Sequence, residues 1–160
     1  GLLKLKRNRS VYGVSPNVDQ TQALESLKDK KFGVVRGYLN TPEFDQADFL
    51  NKVATRSDEG SLRMLMIGRV DFVFIDSLVA DFLIRTRIPR LKDETELLEP
   101  ALAYKPLYIA FSKRHPNHQE ALTVFNRGLA ILKETGELDR ILQYFGIPSP
   151  TAIQQSELAL

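Results

Sequence analysis

The chain of 160 residues contains no cysteine, so disulfide bonds, zinc–thiolate centres and thiol nucleophiles are excluded. No hydrophobic run approaches the roughly 20 residues that a membrane-spanning helix needs. The first residues, Gly1 to Lys4, also lack the long apolar stretch and the small-residue cleavage site of a signal peptide. The chain is therefore compatible with a cytosolic protein or with the mature or trimmed form of an exported one, and the absence of cysteine fits export.

No charge of one sign dominates, because 22 lysines and arginines stand against 20 aspartates and glutamates. With 43% hydrophobic and 26% charged residues, the composition is that of a globular protein of one domain, or of one domain and part of a second. Positive charge is concentrated in the first nine residues, which carry Lys4, Lys6, Arg7 and Arg9 without an acid. We interpret this segment as an edge strand kept soluble by its charges, in preference to a phosphate-binding arm, and expect no nucleic-acid partner.

The middle of the chain alternates between short apolar runs and amphipathic segments. Apolar runs bounded by charged residues predict buried strands at 31–36 and 70–75, with a brief strand at 54–56 between them. Helices are predicted at 21–28, from Thr41 with an apolar stripe that reaches Val53, from Ser57 to Gly68, and from Asp76 to about Arg85. This order predicts an α/β fold with a mainly parallel sheet and helices on both faces.

The two ends of the chain give weaker patterns. Residues 3–6 and 10–15 are predicted to be extended, and 87–96 to be a charged loop. A β-prone run covers 104–113, and helices are predicted at 119–134 and 137–144, separated by Gly136. The tail, 148–160, has no packing pattern.

Ligands of open α/β sheets bind at the carboxyl ends of strands, over the beginnings of helices. The segment from Arg36 to Thr41 lies between a predicted strand and a capped helix. There Gly37 would let the backbone approach a ligand, Arg36 would add a positive charge, and free amides would attract a carboxylate or phosphate. The same pattern also fits a tight turn that connects a strand to a helix and binds nothing.

Asp76 follows the second buried strand directly. A carboxylate at a strand end can accept hydrogen bonds from the ammonium group of a ligand, and it is also a good N-cap for the helix that follows. The sequence leaves both roles open.

Support for catalysis or a metal is thin. His115 and His118 are the only histidines, they flank Pro116 in a polar loop, and no pair of carboxylates completes a metal site with them. The sequence has no nucleophile elbow, no phosphate loop and no zinc-protease motif. We therefore expect a protein that is not an enzyme, with no metal and no cofactor.

Four segments together resemble one protein family, the bacterial extracellular solute-binding proteins of family 3, which are the amino-acid-binding components of ABC importers. Residues 27–37 resemble its "DLKGKKVGVVxGS" segment and residues 62–76 its "L..L..GRVDAVIxD" segment. Residues 108–113 are similar to "YGIAFxK", and residues 132–146 to the closing "LKxxGxxxxIxxKYFG". The segments follow one another in the family's order over roughly residues 10–147.

The resemblance implies a periplasmic-binding-protein-like clamp of type II, in which two lobes joined by crossover strands hold a small solute. It assigns 1–15 to the first crossover strand, 16–103 to the complete second lobe, 104–147 to the returning strand and last two helices of the first lobe, and 148–160 to a tail. The N-terminal part of the first lobe would be absent from this chain. The implied partners are an amino acid or similar small polar solute and an ABC permease in the membrane, and the implied location is the periplasm.

The resemblance also implies a ligand site at Gly37, Tyr38 and Asp76, with Arg36 and Asn40 adjacent. Asp76 would hold the ligand's α-ammonium group, and the amides of the turn would hold part of its carboxylate. Tyr38 stands where the amino-acid-binding members usually have serine or threonine, so the pocket differs there.

The missing half-lobe would leave apolar side chains of the last two helices uncovered. We expect these side chains to fold back on the lobe or to pair between chains in a homodimer, since their exposure would cost several kcal/mol at about 25 cal/mol per Å². They are Leu122, Phe125, Leu129, Leu132, Leu138, Ile141, Leu142 and Phe145. The alternative functions are a sensor module of a signalling protein and a dehydratase-like enzyme on the same scaffold.

Overall fold

The computed structural model describes residues 1–12, 19–99, 101–103 and 108–147. The chain divides into two compact units, Gly1–Lys105 and Pro106–Leu160, and each is described by itself below.

The first unit is built around a five-stranded sheet with the strand order β3–β2–β4–β1–β5. Strand β2 pairs in parallel with β3 and with β4, whereas β1 runs antiparallel to both β4 and β5. The strands are β1 (Leu2–Leu5), β2 (Lys31–Val35), β3 (Asn51–Thr55), β4 (Phe72–Phe74) and β5 (Thr95–Leu97). The predicted α/β fold with a mainly parallel sheet is confirmed.

Among the described residues, four α-helices and one short 3-10 helix connect these strands. They are α1 (Gln20–Glu25), α2 (Pro42–Gln46), α3 (Asp58–Met66), α4 (Ser77–Thr86) and the 3-10 helix at Pro89–Leu91. The side chains of Thr41, Ser57 and Asp76 accept hydrogen bonds from amides of the first turns of α2, α3 and α4, as the sequence predicted. Gly68 has φ 72°, the left-handed conformation expected where α3 ends.

Each face of the sheet buries its own apolar cluster, because successive side chains of a strand point to opposite faces. On β4, Phe72 belongs to the cluster under α1 and α2, and Val73 to the cluster under α3 and α4. Phe32 and Phe72 stack at 5.4 Å between ring centroids, and the fully buried Phe44 of α2 meets Phe32 edge-on at 5.6 Å. Helices therefore cover both faces of the sheet, as predicted.

The interpretation of the first residues as an edge strand is wrong. Strand β1 lies between β4 and β5, and Lys4 is only 5% exposed. Its ammonium group is paired with the carboxylate of Glu96, the residue directly opposite on β5, and donates to the backbone oxygen of Asn8 at 2.7 Å. The error arose because β5, a three-residue strand, begins within the segment 87–96 that was predicted to be a charged loop.

Three further predictions need correction. Helix α2 ends at Gln46, and Val53, which was placed on its apolar stripe, belongs to β3 instead. Ser10 to Tyr12 form no strand, and 13–15 lie outside the described residues. The β-prone run at 104–113 forms no strand over 108–113, where no described strand pairs with it, and 104–107 also lie outside. A segment of high β-propensity forms a strand only where a neighbouring strand pairs with it.

The second unit contains α5 (His118–Glu134) and α6 (Glu137–Tyr144), which are separated by a turn with Gly136 at φ 73°. Both helices agree with the predicted spans within one residue. Neither helix contains a buried residue, and Phe111 packs against Phe125 at 6.0 Å between ring centroids. The tail, 148–160, lies outside the described residues.

Candidate ligand-binding cavity

An open cavity of about 250 Å³ lies in the first unit where the parallel strands β2 and β4 end. Tyr38, Asn40 and Asp76 line it together, so the structure brings together three of the five site residues that the sequence suggested. Because β2 and β4 are parallel neighbours, the segments that follow them leave the same edge of the sheet. The other lining residues are Gly1, Leu39, Thr41, Asp58, Phe74, Ile75, Val79 and Ala103.

Asp76 caps α4 and also lines the cavity. Its Oδ1 atom accepts hydrogen bonds from the amides of Leu78 at 2.9 Å and Val79 at 3.1 Å, which caps α4. In the described part of the chain, no donor is recorded for its other oxygen, Oδ2. The carboxylate can therefore cap the helix and accept a hydrogen bond from a ligand at the same time.

Most backbone amides of the turn after β2 already donate hydrogen bonds within the protein. The amide of Arg36 donates to the backbone oxygen of Thr55, that of Tyr38 to Val35, and that of Asn40 to the carboxylate of Asp45. For Gly37 and Leu39, no acceptor is recorded among the described residues. Any carboxylate bound by this turn would thus meet two amides at most between positions 36 and 40.

Arg36 and Gly37 do not line the cavity. Gly37 has φ 81°, which an L side chain rarely adopts, and an added Cβ would meet no atom within 4 Å. The glycine therefore serves the turn geometry rather than close packing. Arg36 is exposed just beyond the end of β2.

The sequence analysis missed the acid Asp58, which lines the cavity from the first turn of α3. Burial raises its pKa, while a hydrogen bond with its own backbone opposes this rise and the negative charge of Asp76 adds to it. Asp58 follows β3, which lies beside β2, so the segments after three neighbouring parallel strands converge here. Asp58 stands in no distinctive sequence pattern, because an acid is ordinary in a first helical turn.

Asn40 and Thr41 are held by neighbouring helices. The Asn40 side chain donates to Asp45 at 2.8 Å. The Thr41 hydroxyl accepts from the Phe44 amide at 3.2 Å and donates to the side-chain oxygen of Gln20 at 2.8 Å. Gln20 in turn donates to the backbone oxygen of Leu102 at 2.6 Å, next to the lining residue Ala103. This hydrogen-bond chain fixes the cavity wall to α1 and α2.

A second depression of about 510 Å³ adjoins the cavity, because Asp58 and Val79 line both. We call it the α3–α4 groove; its remaining lining residues are Ser57, Glu59, Leu78, Phe82 and Leu83. Phe82 is 55% exposed there, and Glu59 is paired with Arg63 at 2.7 Å. The groove is thus mainly apolar, with acids near one end.

The described ranges contain no group of three or more histidine, aspartate or glutamate residues placed to hold a metal ion. His118 contacts the backbone of His115, with its Nδ1 atom 2.8 Å from the backbone oxygen of that residue. Over the same ranges, no helix combines the length and apolar character needed to cross a membrane.

Neither a protein-family model nor a curated protein sequence matches the chain. Solved structures do match. An ancestral arginine-binding protein bound to arginine is 23% identical with a TM-score of 0.61, and the match covers 89% of this chain and 57% of that protein. The amino acid ABC transporter substrate-binding protein AbpA from Streptococcus pneumoniae, bound to L-arginine, is 19% identical with a TM-score of 0.54, over 89% and 54%.

The solute receptor for L-cysteine of Neisseria gonorrhoeae is 16% identical with a TM-score of 0.54, over 95% of this chain and 57% of that one. These similarities show that the chain has the fold of amino-acid-binding proteins, which confirms the fold that the resemblance implied. The similar structures are named as binding proteins or receptors and not as enzymes. The chain spans little more than half the length of each.

Proposed function

We propose that the chain is part of a family 3 solute-binding protein of an ABC importer and that it binds an amino acid or similar small polar solute without catalysis. One observation carries the proposal: Tyr38, Asn40 and Asp76, which follow two neighbouring parallel strands, line a single open cavity. This is the edge at which α/β sheets bind ligands. The fold shared with amino-acid-binding proteins supports the assignment.

In this proposal the Oδ2 atom of Asp76 accepts a hydrogen bond from the α-ammonium group of the solute. An ionised acceptor and an ionised donor form one of the stronger hydrogen bonds available to a protein. The α-carboxylate binds at the turn after β2, through the amides of Gly37 and Leu39, with Arg36 as a nearby positive charge. Tyr38, which is 58% exposed, offers its ring and hydroxyl to the solute side chain.

The wider organisation is part of the proposal. Residues 1–15 are the first crossover segment, 16–103 the second lobe, and 104–147 the return to the first lobe; the division of the chain after Lys105 supports the second boundary. The whole protein is exported and delivers its solute to an ABC permease. Pairing of α5 and α6 between two chains stays a prediction. It is supported by the apolar side chains of these helices, none of which is buried.

Substitution of Asp76 tests the proposal, because asparagine and aspartate cap helices about equally well while alanine does not. We expect Asp76→Asn to keep the stability of the chain but to weaken amino-acid binding about tenfold or more, the usual loss for a hydrogen bond to a charged group. Asp76→Ala should in addition lower the free energy of unfolding by about 1 kcal/mol.

The measurement is a titration of the ¹⁵N-labelled chain with single amino acids, followed by amide chemical shifts, which detect weak binding to one lobe. Shift changes should be concentrated at 38–41 and 76–79. Equal affinity of the wild type and Asp76→Asn, or shift changes elsewhere in the chain, would contradict the assigned site.

A further inference from the structure

Asp58 and Asp76 both line the cavity. None of the described residues that line it is a lysine or an arginine that could balance the two carboxylates. In the part of the chain that the structure describes, every recorded ion pair involves other carboxylates. The N-terminal amino group of Gly1, also in the lining, donates to the backbone oxygen of Ile75 at 3.0 Å.

The two carboxylates influence each other. The negative charge of Asp76 contributes to raising the pKa of Asp58, after the larger effect of burial. Like charges that share a partly desolvated site repel, and a cation between or beside them removes this repulsion. Apart from the amino group of Gly1, which donates to Ile75, no described residue of the lining supplies a positive charge. A second positive charge on the solute can therefore pair with the carboxylate that does not hold its ammonium group.

The shape of the surface beside Asp58 fits such a solute. Asp58 and Val79 belong to both the cavity and the α3–α4 groove, so the two depressions are continuous at these residues. Beyond them the groove is lined by the apolar side chains of Leu78, Phe82 and Leu83. The aliphatic part of a solute can lie against the half-exposed Val79, which both depressions share, while its charged end lies near Asp58, as lysine and arginine side chains do on protein surfaces.

We propose that Asp58 is a specificity-determining residue that selects solutes with a second cationic group, such as basic amino acids, over neutral solutes of the same size. The proposal rests on the proposed function, since it assigns a substrate class to the same cavity. It adds a role for a residue that the resemblance to the family did not mark.

The test compares pairs of probes that differ in the second charge: lysine with norleucine, and arginine with citrulline. We expect the wild-type chain to bind each cation about fivefold more tightly than its neutral partner, the upper range for a partly exposed ion pair. Asp58→Asn should bring both ratios close to one by weakening the binding of the cations, with little change for norleucine.

Glu59→Gln is the matched control, because it removes the same charge one residue away. Glu59 is already paired with Arg63 and lines only the groove, so this variant should keep most of the preference. Amide spectra of each variant check that it is folded. Should Asp58→Asn fail to fold, equal affinities of the wild type for lysine and norleucine still overturn the proposal.

The outcomes separate the two claims. If binding depends on Asp76 but Asp58→Asn leaves the cation preference unchanged, the inference on Asp58 fails and the proposed function stands. If no amino acid, charged or neutral, changes the amide shifts around the cavity, the proposed function fails and the inference fails with it.

Discussion

The hydroxyl of Thr41 is expected to stabilise the first unit by about 2 kcal/mol. The residue is 3% exposed, accepts a hydrogen bond from the Phe44 amide as the N-cap of α2, and donates another to Gln20. Thr41→Val keeps the shape of the side chain but removes both bonds. Loss of the cap costs about 1 kcal/mol, and the bond to the partly buried Gln20 adds about 1 kcal/mol.

Thr41→Ser is the matched control, since it keeps the hydroxyl and removes one methyl group. Its expected cost is about 0.8 kcal/mol, the value for one buried carbon. Urea unfolding followed by resolved amide signals gives the free energy of unfolding for each unit separately. The hydrogen-bond argument is refuted if Thr41→Val costs no more than Thr41→Ser, or if the amides of α5 and α6 respond as strongly as those around the cavity.

The remaining predictions concern the buried lysine and two glycines. The hydrogen bond from Lys4 lowers the pKa of Glu96, so the stability from this pair is complete above the ordinary value of 4.5 and is lost as the pH falls below it towards the lowered value. The free energy of unfolding of Lys4→Met should stay within about 1 kcal/mol of that of the wild type at neutral pH, and it should fall less on acidification. Urea unfolding midpoints measured against pH test this. Identical pH profiles of the variant and the wild type would argue against the pairing. Gly37→Ala should destabilise the first unit by about 1–2 kcal/mol because of the positive φ, whereas Gly128→Ala should stabilise α5 by roughly 0.8 kcal/mol, since an added Cβ meets nothing within 4 Å. Thermal unfolding of the two variants should give shifts of opposite sign.

Features that depend on a few neighbouring residues were predictable. The caps at Thr41, Ser57 and Asp76 and the left-handed glycine at 68 are where the sequence placed them, because capping joins groups two or three positions apart. The fold class followed from the alternation of such local signals. Segment ends were less certain: the apolar positions after Phe44 fit a longer helix, and only pairing with β2 shows that 51–55 form a strand.

The candidate site shows the same division. Tyr38, Asn40 and Asp76 were expected together because they follow strands that were predicted to be parallel, and they do line one cavity. Arg36 was adjacent in sequence but lies outside the lining, because the turn at Gly37 separates it from the residues that follow. Asp58 was missed because its place depends on β3 lying next to β2.

The sequence by itself therefore determined the helix caps, the glycine turns and the alternation of strands and helices. Each of these depends on residues that are only a few positions apart in the chain. Only the tertiary structure decided which strands are neighbours, and with that whether a charged residue is buried or exposed. Lys4 is the clearest case: a basic residue of a terminal strand is buried because β5, some ninety residues later, adds to its outer side and supplies Glu96. Strand order results from burial and pairing between distant segments, which no local pattern specifies.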